Sequence, residues 1–330
     1  MGVGRRALGV TKHQRSRELT VVRARTGPAF CVKLAAKRGL NLDLIGSLLS
    51  SGQGARPSPN AHRPTPIAQR MIPLSDENPT LHTPIMTWII LGAMFAVWLV
   101  VQGGGLNDLQ LVASICNYGM VPGELTHRVP LGTSIPIAPG LACVIDNSAV
   151  NLWTPLTSMF LHGSWSHILG NALFFWVFGN NIEDSMGPGR FLSFYLLCGL
   201  IAAATQVLIT PTSPVPTVGA SGAISGVLGA YLVLYPKVRV NMFFFFLIFF
   251  KVIPIPAWLV LIWWFGVQVL TGLPELSTVR PDVSSGVAVW AHIGGFVAGM
   301  LLIKLFENPR LVAARNSIRD QRRWMLHQGA

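Results

Sequence analysis

Six stretches of this chain carry almost no charge: 85–102, 165–182, 191–209, 219–235, 254–272 and 288–306. Each is about long enough to cross a hydrocarbon layer as a helix. Lipid offers no water to backbone N–H and C=O groups, so such stretches must satisfy those groups internally. The expected fold class is therefore all-α: a polytopic membrane protein, a six-transmembrane-helix bundle with a long first outer loop, 103–164. Composition agrees, with 51% hydrophobic residues and only 12% charged, roughly half the charge of a soluble protein. The proline-rich 210–216 ends the third stretch. The apolar run 243–250 stops at Lys251 and Pro254 and reads as an interfacial or lead-in piece of the fifth.

The net charge of +12 is concentrated at one end, since residues 1–70 hold 13 of the 25 Lys+Arg and 2 of the 13 Asp+Glu. Three readings of this part compete: a disordered cytoplasmic tail, an organellar transit peptide, or upstream sequence with the true start at Met71. The last is preferred, because Met71 opens a short polar lead-in. In each case 1–70, a basic disordered or non-native extension, is set apart from a membrane domain at 71–306 and a basic cytoplasmic tail at 307–330. No aromatic-basic platform accompanies the charge, so no nucleic-acid partner is expected.

Basic residues follow the second stretch (Arg190), the fourth (Lys237, Arg239) and the sixth (Arg310, Arg315, Arg319, Arg322, Arg323). The remaining loops hold only Arg128 and Arg280. Positive residues stay inside, so both termini are expected in the cytoplasm. A bacterial plasma membrane fits the compact core, with an organelle inner membrane the alternative if 1–70 is translated. Cys116 and Cys143 share the first outer loop, where two thiols can oxidise to a disulfide or remain small buried residues. No CxxC pair points to a metal.

Three polar clusters interrupt the apolar background: His162 with His167 and Asn171, Gly219-x-Ser221-Gly222, and Ala291-His292 with Gly295 and Gly299. They open the second, fourth and sixth stretches, which run in the same direction, so all three lie at one depth. Taken singly, Ser221 reads as helix packing and Asn171 as interhelical glue. Together they read as chemistry. A serine becomes a nucleophile when a base takes its proton, and His292 is the base to hand. Glycines at 219, 222, 226 and 229 leave one side of the fourth stretch open to close approach. Oxyanion donors come from the Ser221 N–H, His162 and Asn171. No acidic residue faces His292 in the pattern, which argues for a Ser–His dyad without a third member.

These clusters, His162-x4-His167-x3-Asn171, Gly219-x-Ser221-Gly222 and Ala291-His292-x2-Gly295-x3-Gly299, resemble the rhomboid family of intramembrane serine proteases. The resemblance covers about 71–306. It implies that Ser221 is the nucleophile and His292 the general base. It further implies that His162 and Asn171 stabilise the oxyanion, that His167 supports the site structurally, and that 254–272 and 273–287 gate substrate access. The implied substrates are other membrane proteins, single-pass ones first, and no cofactor or metal is called for. Two positions depart from the family pattern. Trp153 is followed by Thr154 where arginine is frequent, and Ser225 stands where an aromatic often packs on the base. The alternatives are a proton- or solute-coupled transporter using His162, His167 and His292 as a relay, and a catalytically silent relative that binds membrane helices.

Overall fold

The computed structural model describes residues 21–22, 30–33, 71–146, 150–246, 249–277 and 288–328. Its main helices are α1 (Ile85–Ala96, continued by a π-turn, Val97–Val101), α2 (Asp108–Tyr118), α3 (Trp165–Met186) and α4 (Pro188–Ile209). They are followed by α5 (Ser221–Leu234), α6 (Ala257–Ser277), α7 (Val289–Phe306) and α8 (Pro309–Gln328). Most of each of the six apolar stretches falls on a helix, although the fifth opens in a strand. Among the described residues, α4 and α7 are long and apolar enough by themselves to cross a membrane, and α1, α5 and α6 hold shorter apolar runs. Local chemistry sets the boundaries. Asn107 caps α2 by accepting from the N–H groups of Leu109 and Gln110. The Ser164 hydroxyl caps α3. Gly187, at φ 84°, turns the chain between α3 and α4, and Pro188 opens the next helix.

The fold is mostly helical and not all-α, since two small sheets accompany the helices. The run 243–250 is no lead-in to a helix. Its described residues belong to two antiparallel strands, β6 (Arg239–Phe246) and β7 (Phe249–Pro256), and β3 (Met71–Asp76) pairs with β6 as a third strand. Consecutive phenylalanines favour extended backbone, and Pro254 and Pro256 disfavour helix in the residues before them, so α6 starts only after Pro256. The Met71 lead-in is thus part of the fold. In the first outer loop, β4 (Ser134–Ala138) pairs with β5 (Leu141–Val144). Two short strands from the portion set apart above, β1 (Val21–Val22) and β2 (Phe30–Lys33), complete that sheet in the order β1-β2-β5-β4. The rest of 1–70 and residues 278–287, within the 273–287 expected to gate access, lie outside the described residues. A disulfide between Cys116 and Cys143 ties α2 to β5.

Helix α5 is the hub, with residues 222–231 all buried. It touches α7 backbone to backbone. A Cβ added at Gly299 would fall 1.9 Å from the Gly226 carbonyl oxygen, and one at Gly295 would fall 2.0 Å from that of Gly222. On its other side, Gly222 and Gly226 accept Ala202 and Cys198 of α4. Helices in lipid gain little from hiding apolar surface from one another, so they associate where small residues allow dense contact.

At the far end of α5 the polar residues are held together. Glu183 accepts from the N–H groups of Met86 (2.8 Å) and Thr87 (2.7 Å), satisfying orphan donors at the start of α1. Asp184 accepts from Leu81 N–H and pairs with His82 and Arg315. Arg315 of α8 also donates to the Asn181 carbonyl and to Tyr235, both at 2.6 Å. Asp76 of β3 receives hydrogen bonds from Tyr231 and from Asn181. These bonds lash the lead-in segment and the C-terminal helix to the bundle.

Three outcomes follow for stability. Gly299→Ala should lower the thermal unfolding midpoint in detergent by several degrees, because overpacking of about 1–3 kcal/mol outweighs the roughly 1 kcal/mol helix preference for alanine. Gly92→Ala, with nothing within 4 Å of the added carbon, should leave the midpoint unchanged or raise it. Burial pushes the Asp76 carboxyl up to about 6, against the opposing hydrogen bonds of Tyr231 and Asn181. A raised folded value gives stability that is present below the unfolded carboxylate range, about 4, and is lost as pH rises through 6. The wild type should therefore lose stability between pH 4.5 and 7.5 relative to Asp76→Asn. Parallel melting curves of the two proteins across that window check it.

Candidate active site

Capping fixes the first part of the site. Ser164 accepts from His167 N–H at 3.2 Å and starts α3, so His167 and Asn171, four residues apart, share a helix face. Next comes Gly219, whose φ of 129° suits only glycine. A Cβ there would lie 2.7 Å from His167 Nε2 and 3.5 Å from Ser221 Oγ. The missing side chain leaves open space bordered by both residues. Ser221 is the first residue of α5, so its N–H has no carbonyl one turn back. The glycine contacts between α5 and α7 then set the key distance, and His292 Nε2 lies 2.7 Å from Ser221 Oγ.

Ser221, His292, His167, Asn171 and Gly219 line one cavity of about 410 Å³. An alcohol hydrogen-bonded to an imidazole is the pairing that activates a hydroxyl for nucleophilic attack. Asn171 Nδ2 is buried with no acceptor in reach among the described residues, so it is free to donate into the cavity. His162 differs from the sequence expectation. It is fully buried and is not among the cavity-lining residues. Its backbone is clamped by Gln102, which donates to the His162 carbonyl (2.7 Å) and accepts from its N–H (2.8 Å). Its ring meets that of His167 edge to face at 5.2 Å. His162 thus backs His167, and His167 is the histidine beside Ser221. The reason is the Ser164 cap: His162 precedes the helix, and His167 lies within its first turn.

The three clusters are brought together by glycine packing, and they fall within a part of the chain that matches a known family. Residues 149–308 match the Rhomboid domain family. The chain is 27% identical over 165 residues to RHOMBOID-like protein 5 of Arabidopsis thaliana, covering 47% of this chain and 52% of that one. It is 26% identical over 156 residues to the mitochondrial Rhomboid protein 1 of Saccharomyces cerevisiae, covering 44% and 39%.

The chain is a rhomboid family protein.

A shorter match, 41% identical over 80 residues, links it to Rhomboid protease GluP of Bacillus subtilis, covering 24% of this chain and 15% of GluP. These three matches span from 15% to 52% of the relatives' own lengths. Within this rhomboid domain, several neighbours of the site escaped the sequence reading. Trp264 of α6 stands beside His292 with ring centroids 5.9 Å apart, giving the aromatic contact that Ser225 cannot. Ser225 instead donates to the Ser221 carbonyl at 2.6 Å. Gln268 of α6 lies 2.9 Å from His292 Nδ1. Neither Trp264 nor Gln268 sits in a polar cluster, and only their spacing of four on one helix could have hinted at a shared face. At the opposite end of the bundle, His82 pairs with Asp184.

Gly219→Ala should slow covalent labelling of Ser221 by a fluorophosphonate on the order of 10-fold or more, the scale of losing a donor around the reacting oxygen. Both the strained φ and the collision with His167 act in that direction. Labelling kinetics followed by intact-protein mass measurement check it.

Proposed function

We propose that this rhomboid family protein is an intramembrane serine endopeptidase that cleaves other membrane proteins within or near their transmembrane segments. The observation that carries the reading is the 2.7 Å contact between Ser221 Oγ and His292 Nε2, facing a cavity with an unpaired Asn171 amide. In this mechanism His292 Nε2 takes the hydroxyl proton as Oγ attacks the substrate carbonyl. The tetrahedral oxyanion is stabilised by the Ser221 N–H, the Asn171 amide and His167. The Gly163 N–H approaches His167 Nδ1 at 3.4 Å, which favours a proton on Nε2, the nitrogen turned toward Gly219. His292 then gives its proton to the leaving amine, and water, activated by the same imidazole, releases the acyl group.

A six-span arrangement is part of the proposal. Exposed apolar side chains on the outer helices support it: Ile89 of α1, Leu169 of α3, Leu200 of α4, Trp263 of α6 and Leu301 of α7. Such faces suit lipid. Leu152 and Trp153 in the first outer loop are also exposed, as an interfacial segment requires. With the basic loops inside, both termini are cytoplasmic and the cavity opens toward the outer side, in a bacterial plasma membrane or an organelle inner membrane. Substrates are single-pass proteins whose helix unwinds near its outer end, since a helical backbone hides its carbonyls from attack.

Purified protein incubated with a model single-pass substrate tests this. Ser221→Ala and His292→Ala should each reduce cleavage by on the order of 10⁴-fold or to background, and Asn171→Ala by roughly 10²-fold in kcat. Cleavage that persists in Ser221→Ala removes the assignment of the nucleophile.

A further inference from the structure

A histidine can accept a proton at Nε2 only if its own proton sits on Nδ1, and an orienting partner at Nδ1 sets that choice. The sequence offers no carboxylate for the task. The tertiary structure brings a different group. The side-chain oxygen of Gln268, Oε1, lies 2.9 Å from His292 Nδ1, on the opposite side of the ring from Ser221. An amide oxygen only accepts. The pairing therefore puts the His292 proton on Nδ1 and turns the Nε2 lone pair toward the serine hydroxyl.

We propose that Gln268 is a positioning residue that completes a Ser221–His292–Gln268 relay, fixing the tautomer and ring orientation of His292. The inference rests on the protease reading above. During attack, the hydroxyl proton passes to Nε2, leaving an imidazolium that keeps its Nδ1–H bond to Gln268 Oε1. The same Nε2 proton then leaves with the amine. No proton moves to Gln268. A carboxylate in this place would be costly to bury in a membrane helix, whereas a neutral amide orients the ring without adding a charge. Amide orienters serve this purpose in proteases on other folds.

The helix that carries Gln268 makes the relay conditional. One turn beyond it, Gly272 presses against Val289 and Trp290 at the start of α7, where an added Cβ would fall 3.1 Å and 3.2 Å from their side chains. Trp264, one turn before, stands beside the His292 ring. Three consecutive turns of α6 thus grip the segment that bears the base, and displacement of α6 would withdraw its orienting partner.

Imidazole nitrogen NMR of the wild-type protein, assigned through His292→Gln, reads the tautomer without turnover. The expected result is a proton on Nδ1. Gln268→Leu, similar in size but without an acceptor, should shift the population toward Nε2–H and lower kcat by roughly 10- to 100-fold with KM within about 2-fold. Gln268→Glu restores an acceptor and adds charge. It should recover activity relative to Gln268→Leu and move the acidic limb of the kcat/KM profile upward by on the order of one pH unit. A wild-type spectrum with the proton on Nε2 overturns the proposal, because the amide would then be donating. A kcat for folded Gln268→Leu within about 2-fold of wild type overturns it equally. Neither result touches the protease reading, which falls only if Ser221→Ala still cleaves.

Discussion

Everything in this molecule depends on two helices touching at the backbone. Where α5 meets α7, the carbonyls of Gly222 and Gly226 occupy the space that side chains on Gly295 and Gly299 would need. This contact sets the separation of the helix axes, and with it the 2.7 Å between Ser221 and His292. A methyl group on Gly295 or Gly299 would meet those carbonyl oxygens at 2.0 and 1.9 Å and force the two axes apart. The geometry of the candidate site is thus a by-product of packing density. In lipid that density supplies much of the association energy between helices.

The opposite end of the bundle solves a different problem. Asp184 and Arg315 are both nearly inaccessible, and a buried charge without its partner is strongly destabilising. Here the pair is embedded among the Leu81 and His82 N–H groups, the Asn181 carbonyl and Tyr235. Together these bonds join the lead-in, α3, α5's exit and the C-terminal helix. Glu183 adds the start of α1 to the same knot. Stability is gathered at one end, and the glycine-lined site at the other is left free of charged side chains.

The residues around Ser221 divide the work by chemistry. His167 and Asn171 come from one face of α3, where a serine cap starts the helix in the right register. Gly219 contributes empty space. Around His292 the contacts are an aromatic ring and an amide, both from α6. A membrane helix tolerates such neutral groups far better than a carboxylate.

The sequence by itself determined the helices and the identity of the three polar clusters. Long apolar runs and glycine spacing are local properties, and a bilayer leaves such runs no alternative to helix. It also marked Ser221 and His292 as partners, because both open segments of the same direction. It could not say that Arg239–Phe246 and Phe249–Pro256 pair as strands, the first of them also with Met71–Asp76, since a short apolar run has no period to separate strand from helix. It put His162 ahead of His167 at the oxyanion, whereas a cap at Ser164 decides which ring enters the cavity. The contacts of Gln268, Trp264 and Arg315 were invisible for one reason. Each acts through a neighbour 24 or more residues away in sequence, and only the packing of whole helices brings such groups within reach.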